Sequence, residues 1–281
     1  PEMNGIEFLQ ARKERGIDIP VVILSSLAQK GAKITMDALS LGASDFIMKP
    51  SGAVSGDIHT VGTHIVDALL AYGLNYKKQH GVVLAEEKVL PQPQKTETPV
   101  VEKVSPKLEQ KEKNGLVPLT APPKNVTTEI ELVVIGISTG GPNALREVFA
   151  NIDADLPVPV VVVQHMPAGF TGEFAKSLDR VSPLTIVEAK DGDILQPGRV
   201  LIAPGNQHIE VDKRRLASVV TLSSDELVNG HRPSADVLFA SAVKQFNGNI
   251  LAVLMTGMGR DGAREIGSIR AAGGITIAQN Q

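Results

Sequence analysis

Apolar and polar positions follow two different periods along this chain, and the changes between them divide it into elements. Short runs of β-branched residues predict buried strands, whereas apolar positions three or four apart predict helices. Before residue 79 these patterns predict helices over 6–15, 33–41 and 58–72 and strands over 19–25 and 45–49. From 129 onward they predict stronger strands over 132–137, 158–164, 184–188, 200–203 and 250–256. Alternation of this kind favours parallel strands joined by helices, so both parts are expected to be α/β.

Between the two parts lies a stretch with neither period. Residues 80–128 contain seven of the chain's 18 prolines among mixed Lys and Glu. Such a composition buries too little apolar surface to order itself. We therefore expect a first unit over 1–78, a flexible Pro-rich linker over 79–128 and a second unit over 129–281. Because the chain starts in a loop and ends in an unclosed strand over 273–281, we expect both units to be cut.

Composition excludes several classes of protein. The 281 residues are 42% hydrophobic and 21% charged, which is ordinary for a globular protein. A net charge of −3 gives no reason to expect a nucleic acid or an anionic membrane as partner. Without cysteine, disulfides, thiolate catalysis and Cys-based zinc sites are excluded. No signal peptide and no membrane-length apolar run is visible, so we expect a cytoplasmic protein without membrane insertion.

The turn after the strand 132–137 carries the most informative motif. Gly136, Ser138 and Gly140 match G-x-S-x-G, and Pro142 suits the first position of the helix that follows. Such a turn lifts the serine oxygen clear of the backbone, and nearby N–H groups can hold a developing oxyanion. A glycine turn between strand and helix also suits a phosphate-binding loop. The pentapeptide alone leaves both interpretations open.

Two further strands end in groups that would complete a hydrolytic site. Loops at the carboxyl ends of parallel strands gather at one edge of the sheet. His165 directly follows the strand 158–164, and Asp261 follows the strand 250–256. With Ser138 they supply the nucleophile, the base and the orienting carboxylate of an acyl-transfer triad. The order Ser, His, Asp differs from that of α/β-hydrolases and disfavours that superfamily.

Other residues compete for these roles. His208 and His231 are alternative bases, and Asp236 is an alternative carboxylate inside an expected helix. Asp261 precedes a glycine, and Asp-Gly is also ordinary turn chemistry. The joint pattern favours Ser138, His165 and Asp261 over these alternatives.

Five ordered segments together resemble the chemotaxis-type protein-glutamate methylesterase family (CheB). They start at Gly136, Val163, Ile202, Arg232 and Met255 and read GISTGGP, VQHMP, IAPGNQH, RPSADVLF and MTGMGRDG. The resemblance implies a serine hydrolase that removes methyl groups from glutamyl methyl esters of chemoreceptors and releases methanol. Deamidation of receptor glutamines is a second activity that it implies. In this family likeness Ser138 attacks, His165 transfers the proton and Asp261 orients His165.

The same resemblance implies the remaining contacts of the site. Backbone N–H groups near Thr139 and Met258 are candidates for the oxyanion site, and Gly140 and Arg232 are further candidates for oxyanion or substrate contacts. Ester hydrolysis of this kind needs no metal, and we expect no cofactor for catalysis.

The first unit resembles the C-terminal half of a response-regulator receiver domain, which has a flavodoxin-like fold. The similar segments are MNGIEF from Met3, PVVILSS from Pro20 and DFIMKP from Asp45. By this likeness Ser25 is the switch hydroxyl, Lys49 binds phosphate and Phe46 is the rotating aromatic. The phosphoacceptor aspartate and the acidic pair that holds Mg²⁺ are expected upstream of this sequence. A chemotaxis histidine kinase would be the phosphodonor of the intact protein.

The expected architecture is a truncated receiver domain joined by a linker to a doubly wound, mostly parallel α/β catalytic domain that lacks its C-terminal end. We expect the receiver to cover the active-site face until phosphorylation weakens the contact. Two alternatives remain: a nucleotide- or phosphate-binding module that uses the loop 136–141, and a non-catalytic response-regulator adaptor. Against the first, the loop has neither G-x-G-x-x-G spacing nor a Walker lysine.

Overall fold

The structure of the chain, a computed structural model, describes residues 2–25, 29–49, 58–81, 129–257 and 259–279. Its first part contains α1 (Gly5–Glu14), β1 (Val22–Ser25), α2 (Gln29–Ser40), β2 (Asp45–Met48) and α3 (Ile58–Gln79). The strands β1 and β2 pair in parallel, as the alternating pattern predicts. The prediction that α3 ends at Tyr72 is wrong, because the helix continues to Gln79. Most of the predicted linker, 82–128, lies outside the described residues.

The second part consists of twelve further elements in the described residues. They are β3 (Leu132–Ile137), α4 (Gly141–Ala150), β4 (Val160–Gln164), α5 (Thr171–Asp179), β5 (Thr185–Glu188), β6 (Arg199–Ile202), β7 (His208–Lys213), β8 (Ser218–Ser223), α6 (Ala235–Phe246), β9 (Ile250–Leu254), α7 (Ala263–Ala271) and β10 (Ile275–Ala278).

Six of these strands form one sheet in the order β10-β9-β3-β4-β6-β5, and every neighbouring pair is parallel. The prediction of a mostly parallel sheet is therefore confirmed. β3 lies between β4, which follows it directly, and β9, which comes much later in the chain. This reversal of strand order opens a crevice at the carboxyl end of β3, where ligands bind in open α/β sheets. β7 and β8 form a separate antiparallel hairpin that the strand pattern did not predict as a pair.

Both faces of the sheet are covered, which explains why its central strands are almost entirely apolar. Val133 and Ile135 belong to the apolar cluster on the side of α4 and α5. Val134 belongs to the cluster on the other side, which contains residues of α6, α7 and the β7–β8 hairpin. All six residues of β3 are buried, so this strand is a rigid support for the residue that follows it.

The first part of the chain packs against the α4–α5 side of the second part. Its buried residues continue the same apolar cluster. Phe46 of β2 stacks on Phe170, with ring centroids 5.2 Å apart and planes inclined by 11°. Asn143 of α4 donates from Nδ2 to the carbonyl oxygens of Ala43 at 2.8 Å and Ser44 at 3.2 Å. Among the described residues, no helix is long and apolar enough to cross a membrane.

Candidate active site

Ser138 lies at the sharp turn between β3 and α4. Gly140, the residue before α4, has a φ of 78°, a left-handed conformation that glycine adopts without steric cost. On the other side of the turn, the N–H of Ser138 donates to the carbonyl oxygen of Thr256 at 2.9 Å. A Cβ atom at Gly257 would lie 2.8 Å from the Cβ of Ser138. The serine turn and the loop after β9 thus lie too close together for a side chain at position 257.

Ser138, His165 and Asp261 form a continuous chain of hydrogen bonds. The Nδ1 atom of His165 is 3.0 Å from Ser138 Oγ, and its Nε2 atom is 2.8 Å from Asp261 Oδ2. An ionised carboxylate only accepts, so Nε2 carries the hydrogen and Nδ1 presents its lone pair to the serine hydroxyl. The strand order explains the meeting, because β4 and β9 flank β3 and all three end at one edge of the sheet.

Several hydrogen-bond donors surround the carboxylate of Asp261. Its side chain is only 2% exposed. Besides His165, it accepts hydrogen bonds from Ser234 Oγ at 2.6 Å, Ala235 N at 2.6 Å and Asn229 Nδ2 at 2.9 Å. Burial alone would raise the pKa of Asp261, but the bonds from His165, Ser234, Asn229 and Ala235 outweigh it and lower the pKa. The carboxylate therefore stays charged at neutral pH.

The backbone N–H groups around Ser138 are not equally available. The N–H of Gly141 donates to Ser138 O at 2.8 Å, and that of Gly140 donates to Asp45 Oδ2 at 2.9 Å. Within the part of the chain that the structure describes, the N–H of Thr139 has no partner. Thr139 is half-buried and follows the serine directly, which is where an oxyanion donor is expected. Met258, the other predicted donor, lies outside the described residues.

An open cleft runs along the three residues of the hydrogen-bonded chain. Its lining includes Ile137, Ser138, His165, Met255, Arg260 and Asp261. The described residues contain no cluster of His, Asp or Glu that could hold a metal ion.

The comparisons with known proteins agree with one another. The model of the CheB methylesterase family matches residues 133–281. The chain is 49% identical to a protein-glutamate methylesterase/protein-glutamine glutaminase of Treponema denticola, an alignment that spans 100% of this chain and 74% of that protein. A protein of the same name from Bacillus subtilis is 38% identical over 100% of this chain and 73% of its own length. The chain belongs to the CheB methylesterase family.

A solved structure adds a likeness of fold. The crystal structure of the Thermotoga maritima CheB methylesterase catalytic domain is 38% identical, with a TM-score of 0.53. It covers 54% of this chain and 81% of the Thermotoga chain. Membership of the CheB methylesterase family is therefore supported over the second part of the chain by sequence and by fold.

Not every residue that the CheB resemblance suggested faces the cleft. Arg232 donates from Nε and Nη2 to Asn206 Oδ1, at 3.2 and 2.7 Å. Its Nη1 atom donates to the carbonyl oxygens of Ser224 at 2.7 Å and Asp225 at 2.6 Å. The bonds to Asn206 tie the loop between β8 and α6 to the loop before β7, and the bonds to Ser224 and Asp225 lie within the first of these loops. Arg232 thus supports the site in this structure, and its substrate contact stays a prediction.

Two of the alternative residues, His208 and Asp236, are held in contacts away from the cleft. His208 is 1% exposed, and its ring nitrogens meet the carbonyl oxygen of Glu226 at 2.9 Å and the N–H of Ser234 at 3.2 Å. Asp236 accepts from Asn229 Nδ2 at 2.7 Å and from Glu265 N at 3.1 Å. Neither residue lines the cleft, so the geometry does not favour them over His165 and Asp261.

Two of the residues that the receiver resemblance singled out, Ser25 and Lys49, lie close together in the first part. Ser25 Oγ shares a 2.7 Å hydrogen bond with Thr35 Oγ1 inside the core. Lys49 is exposed, and its N–H donates to the carbonyl oxygen of Ser25 at 2.6 Å. Phe46, by contrast, lies in the contact with the second part, against Phe170.

Sequence reasoning missed the contact that joins the first part to the serine turn. Asp45 Oδ2 accepts from Gly140 N and also from the hydroxyl of Tyr72 at 2.9 Å. Burial raises the pKa of Asp45, although the bonds from Gly140, Phe46 and Tyr72 oppose the shift. The pKa of Tyr72 is raised too, first by burial and then by the charge of Asp45. Gly140, the residue before α4, has no side chain of its own, and its N–H is satisfied by Asp45.

The support of Asp261 by Asn229 and Ser234 was also missed. The dipeptide Asn229-Gly230 is a turn motif, and the positive φ angles of 53° and 77° agree with it. That motif predicts a turn but does not indicate which carboxylate the Asn229 amide contacts.

Proposed function

We propose that the protein hydrolyses glutamyl methyl esters on chemoreceptors, releasing methanol and leaving glutamate. The names of its relatives support this substrate class. The single observation that carries the proposal is the hydrogen-bonded chain from Ser138 through His165 to Asp261 at the edge of an open cleft. An ester requires a nucleophile, a base and an oxyanion donor, and Ser138, His165 and the N–H of Thr139 are the candidates.

The first half of the reaction forms an acyl enzyme. Ser138 Oγ attacks the ester carbonyl carbon while its proton passes to Nδ1 of His165. The carbonyl oxygen becomes an oxyanion, for which the N–H of Thr139 is the available donor among the described residues. Asp261 stabilises the imidazolium through Nε2. When the tetrahedral intermediate collapses, His165 returns the proton to the methoxy oxygen and methanol leaves.

The second half restores the enzyme. Water attacks the acyl carbon, His165 takes its proton, and the serine oxygen departs with that proton as glutamate is released. A receptor glutamine would follow the same path with ammonia in place of methanol, because the amide nitrogen is protonated by the same imidazole. This second activity is proposed on the names of the relatives, which include glutaminase.

The domain organisation is proposed from both parts of the chain. We assign 1–78 to a receiver domain of flavodoxin-like fold, 79–128 to a linker and 129–281 to the catalytic domain. In the full-length protein a chemotaxis histidine kinase would phosphorylate an aspartate outside this sequence, where acidic residues also outside it would hold Mg²⁺. The proximity of Ser25 and Lys49 supports a phosphoryl site at this sheet edge. A cytoplasmic location stays a prediction.

Control by the receiver is supported by the contact between the two parts. Asp45 binds the backbone of the serine turn, and Asn143 binds the loop before β2. A receiver docked in this way restrains the turn that carries Ser138. Phosphorylation that weakens these contacts would free the turn for substrate.

The decisive experiment measures methanol release from methylated receptor by the full-length protein. Ser138→Ala and His165→Ala should abolish the activity, and Asp261→Asn should reduce it by about 10⁴-fold, as when a triad carboxylate is replaced by an amide. Ser224→Ala and His80→Ala, at exposed positions outside the cleft, are matched controls that should retain it. Activity in a folded Ser138→Ala protein would contradict the proposal.

The two rival functions predict different results in the same assay. A phosphate-binding module or a non-catalytic adaptor would release no methanol in any variant. The pairing of Ser138 Oγ with an imidazole favours hydrolysis, since a phosphate loop has no need of a base.

A further inference from the structure

A second imidazole lies flat against His165. The rings of His165 and His231 are stacked with centroids 3.8 Å apart and planes only 10° from parallel. His231 is in the loop between β8 and α6, far from His165 in sequence. The hydrogen bonds described for His165 lie in the ring plane, whereas His231 contacts its face.

The two hydrogen bonds of His165 leave one motion weakly restrained. The ring can tilt by rotation about its Cβ–Cγ bond, a torsion with only broad preferences in histidine. Nδ1 and Nε2 lie on opposite sides of this bond, so tilting moves them out of the present ring plane in opposite directions and turns the Nδ1 lone pair out of line with Ser138 Oγ. A hydrogen bond weakens steeply as its angle departs from linearity. A flat group on the ring face opposes this tilt, because the tilted ring would collide with it.

His231 is itself held firmly enough to serve as such a support. Its N–H donates to Val228 O at 2.9 Å, and its carbonyl accepts from Val228 N at 3.1 Å. Between these residues, Asn229 bonds to Asp261 and Asp236. The next residue, Arg232, is fixed by four hydrogen bonds within the protein. His231 thus lies in a turn whose position is fixed by hydrogen bonds on both sides.

The same segment also fixes the other partner of His165. Asn229, Ser234 and Ala235 all donate to Asp261. One stretch, 229–235, therefore sets the position of the carboxylate that bonds to Nε2 and supplies the ring that covers the imidazole face. Any shift of this stretch would move both together.

We propose that His231 is a positioning residue for the general base: its flat side chain keeps the ring of His165 in line with Ser138 and Asp261. The inference rests on the proposed function, in which His165 is that base. His165 contacts Ser138 directly at 3.0 Å, and His231 covers the face of the His165 ring, so His231 acts through His165. What the role requires is a planar group of suitable size, whatever its hydrogen-bonding chemistry.

The test compares three replacements in the full-length protein acting on receptor membranes that carry radiolabelled methyl esters. His231→Phe keeps a flat ring, His231→Leu fills much of the space without a plane, and His231→Ala removes the contact. Misalignment of a reacting group by about 1 Å typically costs about 100-fold, so kcat should fall by about 10- to 100-fold in the Leu and Ala variants. KM should change by less than about twofold, and the Phe variant should recover most of kcat.

A second readout reports the base directly. The rate at which a fluorophosphonate labels Ser138 depends on proton transfer to His165, and it should fall and recover in parallel with kcat. Melting temperatures show whether each variant is folded. If the Ala variant unfolds, the comparison of Leu with Phe still decides the matter.

Two results would overturn the inference. One is an unchanged kcat in the folded Ala or Leu variant, and the other is a Phe variant as slow as the Leu variant. The failure of the proposed function is separate, because it would show as activity retained in Ser138→Ala or His165→Ala. His80→Ala, which removes an exposed histidine paired with Asp18, controls for the loss of an imidazole as such.

Discussion

Among single residues, Gly257 sets how closely the loop after β9 approaches the nucleophile. A methyl group there would meet the Cβ of Ser138 at 2.8 Å and its backbone N at 3.5 Å. The Cβ of Ser138 is bonded directly to the backbone and cannot move aside as the end of a flexible side chain can, so Ser138 itself has to shift. Gly257→Ala should therefore lower kcat/KM by about 100-fold. Methanol release measures the effect.

The control for this substitution is Gly267→Ala. Gly267 lies in α7, where an added Cβ meets nothing within 4 Å, and alanine is the better helix former. That variant should keep full activity and a melting temperature at least equal to the wild type. Equal activity of Gly257→Ala and Gly267→Ala would show that the turn tolerates the displacement.

The residues of the site differ in how far sequence predicts them. Ser138, His165 and Asp261 could be found because each follows a strongly apolar strand, and parallel strands end at one edge. The contacts of Asn229, Ser234 and His231 depend on how the loop after β8 folds back over that edge. The spacing of apolar residues in the sequence does not predict the path of this loop. The cleft could thus be predicted from its strands, whereas the groups that fix its geometry could not.

At the level of elements, Asp261 has a second role as a cap of α6. Ser234 precedes this helix but makes no side-chain cap. Instead Asp261 accepts from the N–H groups of Ala235 at 2.6 Å and Asp236 at 3.3 Å. A carboxylate at a helix N-terminus satisfies unpaired donors and interacts favourably with the helix dipole. The side chain that orients His165 therefore also stabilises the start of α6.

This double role predicts a pH-dependent loss of stability in Asp261→Asn. The pKa of Asp261 in the folded protein is below its ordinary value of 3.8. Its stabilising contribution is therefore complete above that value and is lost as the pH falls through the lower, folded pKa. At pH 7 the variant should unfold about 2 kcal/mol more easily than the wild type. The difference should shrink as the pH is lowered below about 4.

Urea unfolding of both proteins between pH 7 and pH 3 tests this expectation. Asp155→Asn offers a comparison, because Asp155 is an exposed residue of the loop before β4 and should show no such difference. A stability gap that stayed constant down to pH 3 would mean that Asp261 does not cap α6 through its charge.

The central strands and the β7–β8 hairpin differ in how well the sequence pattern predicts them. The central strands were predicted to within two residues because they are buried on both faces and almost entirely apolar. The β7–β8 hairpin was not recognised as a pair, since it mixes buried positions with charged ones such as Glu210 and Lys213. The hairpin covers one face of the sheet, and its half-polar pattern reflects that one-sided burial.

For the whole molecule, the contact between the two parts combines a shared apolar cluster, an aromatic stack and a small set of polar bonds. Asn143 contributes two of these bonds, to the carbonyl oxygens of Ala43 and Ser44. Removing them should weaken docking by about 1–2 kcal/mol, which raises the undocked fraction by about 5- to 30-fold while docking dominates. Asn143→Ala should therefore increase the methylesterase activity of the unphosphorylated full-length protein.

Asn151→Ala is the matched control, because Asn151 follows the same helix and its side-chain amide bonds only to the carbonyl oxygen of Glu147 within the described residues. In a protein that lacks residues 1–128, Asn143→Ala should have no effect, since its partners are gone. Unchanged activity of the full-length Asn143→Ala protein, or equal activation in the shortened one, would argue against control through this contact.

The bond between Gly140 and Asp45 has a practical consequence. The amide hydrogen of Gly140 is shielded from deuterated solvent only while the carboxylate of Asp45 lies against it. Its exchange rate consequently reports local opening of the joint between the two parts. A single amide resonance, followed before and after treatment with a phosphodonor, would monitor the state of the enzyme without any substrate being present.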